Sequence, residues 1–352
     1  MQPGLLNVVI DGFWGSSGKG KVCDYLTKKY KITDVISGNM PNAGHTVVRD
    51  NRKVIAKVLP SASFFNNVDI WISGSTGFNV DQMITESNLI ADYTKKPIMM
   101  SDRAFEVKAE HLSIERYTLN KIASTMQGSG AALAGKIMRT GSLRSEELPI
   151  NVYVETAALW RRELLNHILN GKALYEVAQG WGLSIDHGTH YPQCTSRNCS
   201  INRALDDCAT PPQLIGDVIA VIRPYPIRVG NTEGGHSGGW MPDCTEVSWD
   251  HIKKISGINE DLAEKERTTV TKRIRRVATF SFELLKDCVI HNGVTGIFLN
   301  FAQYIDSSCA GKRGKLRDAP KAVKIFVDAI ENHCGVPVIA LGTGADTDDV
   351  LD

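Results

Sequence analysis

The sequence predicts an α/β fold, a central and mostly parallel sheet flanked by helices, and three observations carry that prediction. A short apolar run from Leu5 to Ile10 (LLNVVI) ends at a glycine-rich turn, as a buried parallel strand does. Three later runs, VDIWIS from Val68, TGIFL from Thr295 and VPVIAL from Val336, repeat that pattern. Between them lie helical periods: Val323, Phe326, Val327 and Ile330 fall at i, i+3, i+4 and i+7.

Taken in order, the first strand should feed a helix from about Lys19, past the turn GFWGSSGKGK of residues 12 to 21. Val277, Phe280, Leu284, Leu285 and Cys288 trace a second helical stripe that should pack on the sheet. GNTEGGHSGGW, residues 230 to 240, and the polar stretch from Thr189 to Asp207 read as long loops, which in compact domains usually carry function. No repeat or low-complexity linker splits the chain, so residues 1–352 are expected to form a single catalytic domain.

Composition narrows the function. The 352 residues are 42% hydrophobic and 22% charged, with a formal net charge of +1, values of an ordinary globular enzyme able to bury a sizeable core. A near-neutral chain has no field for duplex DNA or an anionic membrane, so any nucleotide it binds should be small. The N-terminus has neither a basic region nor a long apolar stretch, and a cytoplasmic enzyme is expected. Its 8 cysteines include no CxxC pair at zinc spacing, which makes reduced thiols the default.

The glycine-rich turn carries the chemistry. Gly15, Gly18 and Gly20 allow backbone N–H groups to converge at a helix N-terminus, and Lys19 and Lys21 supply positive charge, as a polyphosphate requires. The spacing is not that of the Walker loop. It resembles instead the QWGDEGKGK loop of the adenylosuccinate synthetases. That resemblance continues in order through NMPNAGHTV (39 to 47), AKVLPSA (56 to 62), VAQGWGLSIDHGTHYPQCTSRN (177 to 198), YPIRVGN (225 to 231) and VTKRIRR (270 to 276).

The resemblance implies a ligase that phosphorylates O6 of a 6-oxopurine mononucleotide from a nucleoside triphosphate and then displaces the phosphate with L-aspartate. It implies His45 as general acid on the transferring phosphoryl, Lys19 as its charge stabiliser, and Mg²⁺ on the Gly44 carbonyl and at position 16. It assigns the triphosphate to Ser17, Gly18, Lys19, Gly20, Lys21, Gly44 and Thr46, with Gln303, Gly342 and Gly344 framing its base. The mononucleotide falls to Ser16, Asn42, Ala43, Thr125, Gln179, Leu183, Thr195, Val229 and Gly230. Arg139 is assigned to the mononucleotide phosphate of a partner subunit across a homodimer interface. Aspartate falls to Val270, Thr271, Arg273 and Arg275; alternate residues of an extended segment share a face, so Thr271 and the two guanidiniums should clamp a dicarboxylate together.

Two departures change the expected substrates. Ser16 stands where the family has the aspartate that takes the N1 proton, and a smaller hydroxyl leaves room for the 2-amino group of a guanine. In IFLNFAQYID, residues 297 to 306, Phe301 and Gln303 replace a lysine and the guanine-reading aspartate; an amide pairs with an adenine edge. Together they imply dGMP as acceptor and ATP or dATP as donor. This resembles the bacteriophage branch of the family, which makes 2-amino-2'-deoxyadenylosuccinate for diaminopurine DNA. The N1 base is open between Asp11, the substrate aspartate and a Mg²⁺-linked water. Two rivals stand beside this reading: an ordinary synthetase using inosinate and GTP, and a nucleotide-binding regulatory pseudo-enzyme.

Overall fold

The computed structural model describes residues 1–140, 147–268 and 272–352. The predicted first strand is β1 (Leu6–Asp11), with every residue buried. After it come helix α1 (Lys19–Tyr30), β2 (Asp34–Ser37), a hairpin of β3 (His45–Arg49) and β4 (Arg52–Ala56), and β5 (Asp69–Ile72). The hairpin closes at Asp50 and Asn51, both left-handed with φ 51° and 62°, the backbone that a two-residue turn between twisted strands requires.

Among the described residues the central sheet has ten strands. Starting from the C-terminal edge, their order is Val350–Leu351, Val338–Gly342, Gly296–Leu299, Ile215–Ile222, β1, Ala173–Glu176, β2, β5, Ile98–Ser101 and Val152–Glu155. Neighbours run parallel except the last C-terminal pair. Along β1, Leu6, Val8 and Ile10 enter one core layer and Val9 the other, so the strand reads as a continuous apolar run. Each such buried side chain contributes about 1.5–3 kcal/mol relative to exposure. Asn7, also buried, satisfies its amide on the carbonyls of Gln2, Leu5 and Ala173.

Helix α1 packs Val22, Cys23 and Leu26 inward and ends at left-handed Lys31. The stripe of Val323, Val327 and Ile330 lies buried on the helix Lys321–Cys334. The other stripe is not a single helix. Val277 sits in a short strand, Arg276–Ala278, and the helix spans Phe282–Asn292 because the Ser281 hydroxyl caps Leu284 N at 3.1 Å. The stretch from Thr189 is likewise a loop only as far as Ser200, and Ile201–Cys208 is helical. Residues 230 to 240 are loop apart from an isolated bridge, Thr232 to Gly235. No helix among the described residues is long and apolar enough to cross a membrane.

Candidate active site

The phosphate loop sits at the C-terminal end of β1, where open parallel sheets bind ligands. Gly15 and Gly18 take φ 88° and 85° there, which glycine adopts without strain. Gly20 serves a different purpose: a Cβ on it would lie 2.8 Å from Thr46 O and 3.2 Å from the His45 carbonyl carbon. Its bare backbone lets the start of α1 press against β3, which brings His45 and Thr46 beside the loop.

Backbone N–H groups of the loop do converge, but on the protein's own carboxylate. Phe13 N and Gly15 N donate to Asp11 Oδ1 at 3.0 and 3.1 Å, and Ser17 N donates to Oδ2 at 3.0 Å. Asp11 is fully buried, with Lys19 Nζ 3.6 Å from Oδ2, so it organises the loop and has no oxygen left over to serve as the N1 base. Lys19 also donates to Gln179 O at 2.6 Å, which fixes left-handed Gln179 (φ 65°) against the loop. Lys21 is held by the C-terminal turn. Its ammonium is spent on the carbonyls of Gly344 (2.7 Å) and Asp349 (2.8 Å), and burial lowers its pKa to about 8 against the pull of Asp349.

His45 forms the centre of a dyad. Its Nδ1 lies 2.6 Å from Glu176 Oε1, and Glu176 Oε2 accepts from Ser61 N at 2.9 Å and Ser61 Oγ at 2.8 Å. Burial pushes the Glu176 carboxyl up, but His45 and the Ser61 donors outweigh it and hold the group below the ordinary range. A carboxylate on Nδ1 fixes the ring and leaves Nε2 for a substrate. Glu176 was not foreseen; its signal in the sequence is an acid ending the short apolar run ALYE, immediately before VAQG.

Of the residues assigned to the mononucleotide, Asn42 Nδ2 and Thr195 Oγ1 meet at 3.5 Å, and Thr195 N donates to Leu183 O at 2.8 Å. Leu183 Cδ1 lies 4.0 Å from the Cβ position of Gly15. Ser16 is exposed, with φ 59°, and Ala43 is buried beside His45 in sequence. Gly230 can only be glycine, since a Cβ would fall 2.3 Å from Ile274 O. Its carbonyl accepts from Arg273 Nη1 at 2.9 Å, and Arg273 Nη2 bonds the carbonyls of Ala123 and Ser124, both at 3.1 Å. Arg273 thus joins the loop before Thr125 to the loop of Val229 and Gly230. Arg139 stands apart, exposed beyond the helix Ser129–Ile137.

Of the expected clamp, the described residues include Arg273 and Arg275, which border one cavity. Lys272, left-handed at φ 56°, turns the backbone just ahead of both arginines, and their guanidiniums then take different protein partners. Arg275 Nη1 bonds Arg267 O at 2.9 Å and lies 3.4 Å from Glu266 Oε2. Val270 and Thr271 lie outside the described residues. An open cavity of about 660 Å³, bordered by Gly230, Trp249, Arg273, Arg275 and Arg276, adjoins this loop and is roomy enough for a small dicarboxylate.

On the triphosphate side, Asn300 is the organiser that the motifs did not reveal. Its Nδ2 donates to Ser17 O at 2.9 Å and Gly18 O at 3.2 Å, and a Cβ on Gly342 would collide with its Oδ1. Asn300 thereby ties the C-terminal turn of Gly342 and Gly344 to the phosphate loop. The Gln303 Oε1 and Ser17 Oγ atoms are buried without a hydrogen-bond partner, and each is an acceptor that a ligand can satisfy.

For a divalent cation, the one group of three clustered His and Asp ligands among the described residues is Asp34, Asp69 and His167. Asp34 and Asp69 begin β2 and β5, at the opposite end of the sheet from the loop. At the loop itself the donors are the hydroxyls of Ser16 and Ser17 and the Gly44 carbonyl. Such a sparse oxygen set suits Mg²⁺, which is held largely through substrate phosphates and water.

Comparison with known proteins identifies the family. The family model described as adenylosuccinate synthetase matches residues 8–158 and 150–310. An N6-succino-2-amino-2'-deoxyadenylate synthase of Vibrio phage phiVC8 is 32% identical over 358 residues, covering 98% of this chain and 97% of that protein. An adenylosuccinate synthetase of Archaeoglobus fulgidus is 28% identical, covering 98% and 97%. Among solved structures, a cyanophage S-2L succinoaminodeoxyadenylate synthetase bound to dGMP and to dATP as energy donor superimposes with a TM-score of 0.81 at 28% identity, covering 99% of this chain and 95% of that one.

Proposed function

The chain belongs to the adenylosuccinate synthetase family, ligases that form a carbon–nitrogen bond, and on that premise we propose that it ligates L-aspartate to C6 of dGMP. The reaction is driven by ATP or dATP and gives N6-succino-2-amino-2'-deoxyadenylate, the precursor of diaminopurine in phage DNA. The carrying observation is Ser16, an exposed hydroxyl at the mouth of the phosphate loop where the family resemblance places an aspartate. A carboxylate there would crowd a 2-amino group; the hydroxyl gives it space and an acceptor. The resemblance to two phage enzymes named for this chemistry supports the same choice.

The step sequence follows from the groups at hand. After loss of the N1 proton, O6 attacks the γ-phosphorus and the nucleoside diphosphate leaves, with Lys19 and the His45 imidazole stabilising the moving charge. The aspartate amine then attacks C6, phosphate departs with O6, and the amine gives up a proton. Glu176 holds His45 in register throughout. Ser16 and the Gly44 carbonyl would hold Mg²⁺, which would neutralise phosphate charge there. With Asp11 committed to the loop, we assign the N1 proton to the substrate aspartate or to solvent at Ser16. Gln303, with its unsatisfied Oε1, accepts from the adenine amino group of the donor.

Arg139 completes the phosphate site of a partner in a homodimer; the exposed side chains of Ile137 and Met138 beside it, at 67% and 71%, supply apolar surface for that contact. The test is product identity. Incubation with dGMP, ATP, Mg²⁺ and L-aspartate should yield a species heavier than dGMP by aspartate less one water, with one phosphate released per product. Phosphate release without that species would contradict the proposal.

A further inference from the structure

We infer that Glu266 and Arg223 are positioning residues that couple filling of the aspartate site to the shape of the phosphate loop at Ser16. The inference rests on the aspartate-ligase reading above and adds to it a link between the two substrate sites. Glu266 stands at the base of the aspartate loop: Arg275 N donates to its carbonyl at 3.2 Å, and Arg267 bridges Ile274 one step further along. Its carboxylate is buried and fully subscribed. Oε1 accepts from Arg223 Nη2 at 3.0 Å and from the Tyr304 hydroxyl at 2.7 Å, while Oε2 faces Arg223 Nη1 at 3.3 Å and Arg275 Nη1 at 3.4 Å.

Arg223 carries the connection onward. Only 1% exposed, it shares Nη1 between Glu266 Oε2 and Ser16 O, the latter at 3.2 Å. The Phe301 ring covers its guanidinium at 4.2 Å and also lies 3.5 Å from the Cβ position of Gly18. The guanidinium is thus held in place between Glu266, Phe301 and the loop carbonyl. Ser16 needs such a hold, because a left-handed backbone at a non-glycine residue is disfavoured.

The charges explain the direction of the coupling. Two guanidiniums, the buried Arg223 and the partly buried Arg275, share one carboxylate, so the group is one anion short. Burial lowers the pKa of Arg275 despite its neighbour Glu266; burial would raise that of Glu266, but the two guanidiniums outweigh it and hold it low. A carboxylate of bound aspartate supplies the missing anion to Arg275. Arg275 then stops competing for Oε2, Arg223 settles on Glu266 in the two-pronged geometry, and the phosphate loop is held in its triphosphate-binding form.

The test measures binding of a non-hydrolysable ATP analogue by calorimetry, with dGMP and Mg²⁺ present, with and without saturating L-aspartate. Aspartate should tighten the analogue at least about fivefold in the wild type, and the analogue should tighten aspartate by the same factor. In Glu266→Gln and in Arg223→Lys that factor should fall below about twofold, while in Glu266→Gln the analogue's Kd without aspartate stays within about threefold of wild type. Tyr304→Phe, which removes one bond and no charge, should give an intermediate factor and keeps the test decisive should Glu266→Gln not fold. A wild-type factor of one, or a factor preserved in the variants while every Kd weakens alike, overturns the coupling. Wild-type phosphate release that ignores aspartate would instead overturn the ligase reading, and the coupling with it.

Discussion

Replacing Glu176 by glutamine isolates what the carboxylate does for His45. The amide keeps the shape and can keep one bond to Ser61, but the contact to His45 Nδ1, 2.6 Å in the wild type, loses its charge. Exchanging a charged partner for a neutral one in such a close polar contact costs roughly 1–2 kcal/mol. If His45 acts on the moving phosphoryl group, that energy appears in the transition state, and kcat should fall about fivefold to thirtyfold. KM for dGMP and for ATP should stay within about twofold, since Glu176 is 2% exposed and lies behind the histidine. Steady-state phosphate release at saturating aspartate measures both. A rise in KM with kcat intact would refute the argument, as it would show that Glu176 shapes a binding surface rather than the catalytic ring.

Ser16→Asp should shift preference from dGMP toward inosinate by restoring a base for N1 and crowding the 2-amino group; competition between the two nucleotides reads it, and an unchanged ratio dismisses Ser16 as the selector. Gln303→Asp should narrow an ATP-over-GTP preference of at least about tenfold in kcat/KM, the cost of about 1–3 kcal/mol for a mispaired buried group, and wild-type equality of the two donors would count against Gln303. Mixing Arg139→Ala subunits with His45→Ala subunits should restore partial activity in heterodimers, whereas demonstrated heterodimers without activity would place Arg139 outside the partner's site. The buried Glu266 carboxyl lies below its ordinary 4.5 in the folded chain, so its contribution to stability is complete above that pH and is lost as pH falls through the folded value. Urea midpoints should accordingly fall less steeply with acidification below about pH 4.5 in Glu266→Gln than in wild type, and parallel slopes would dismiss the ion group as a source of acid lability.

The parts of this protein that were legible in advance are those written locally. LLNVVI and the glycines after it specify a buried strand, a tight turn and a helix start through backbone freedom and burial alone; β1 begins and ends within a residue of that reading, and α1 begins at the expected Lys19. Side-chain destinations were less legible, because they depend on chain segments far apart in sequence. Lys21 looks like a phosphate ligand beside Lys19, yet the C-terminal turn, more than 300 residues later, captures its ammonium. Arg273 and Arg275 read as one clamp, yet their protein partners, the Gly230 carbonyl for one and Arg267 O with Glu266 for the other, come from different segments. Glu176 and Asn300 gave weak signals because their role is to orient neighbours, and no short motif encodes a neighbour.

The central claim, that this active site joins aspartate to a 2-amino-6-oxopurine deoxynucleotide, is tested most directly by one substrate-comparison assay. Phosphate release is followed with ATP, Mg²⁺ and L-aspartate while dGMP, GMP and inosinate are supplied in turn. The account predicts release that depends strictly on aspartate, with kcat/KM for dGMP above that for inosinate. Release as fast with inosinate as with dGMP, or release that continues without aspartate, would contradict it.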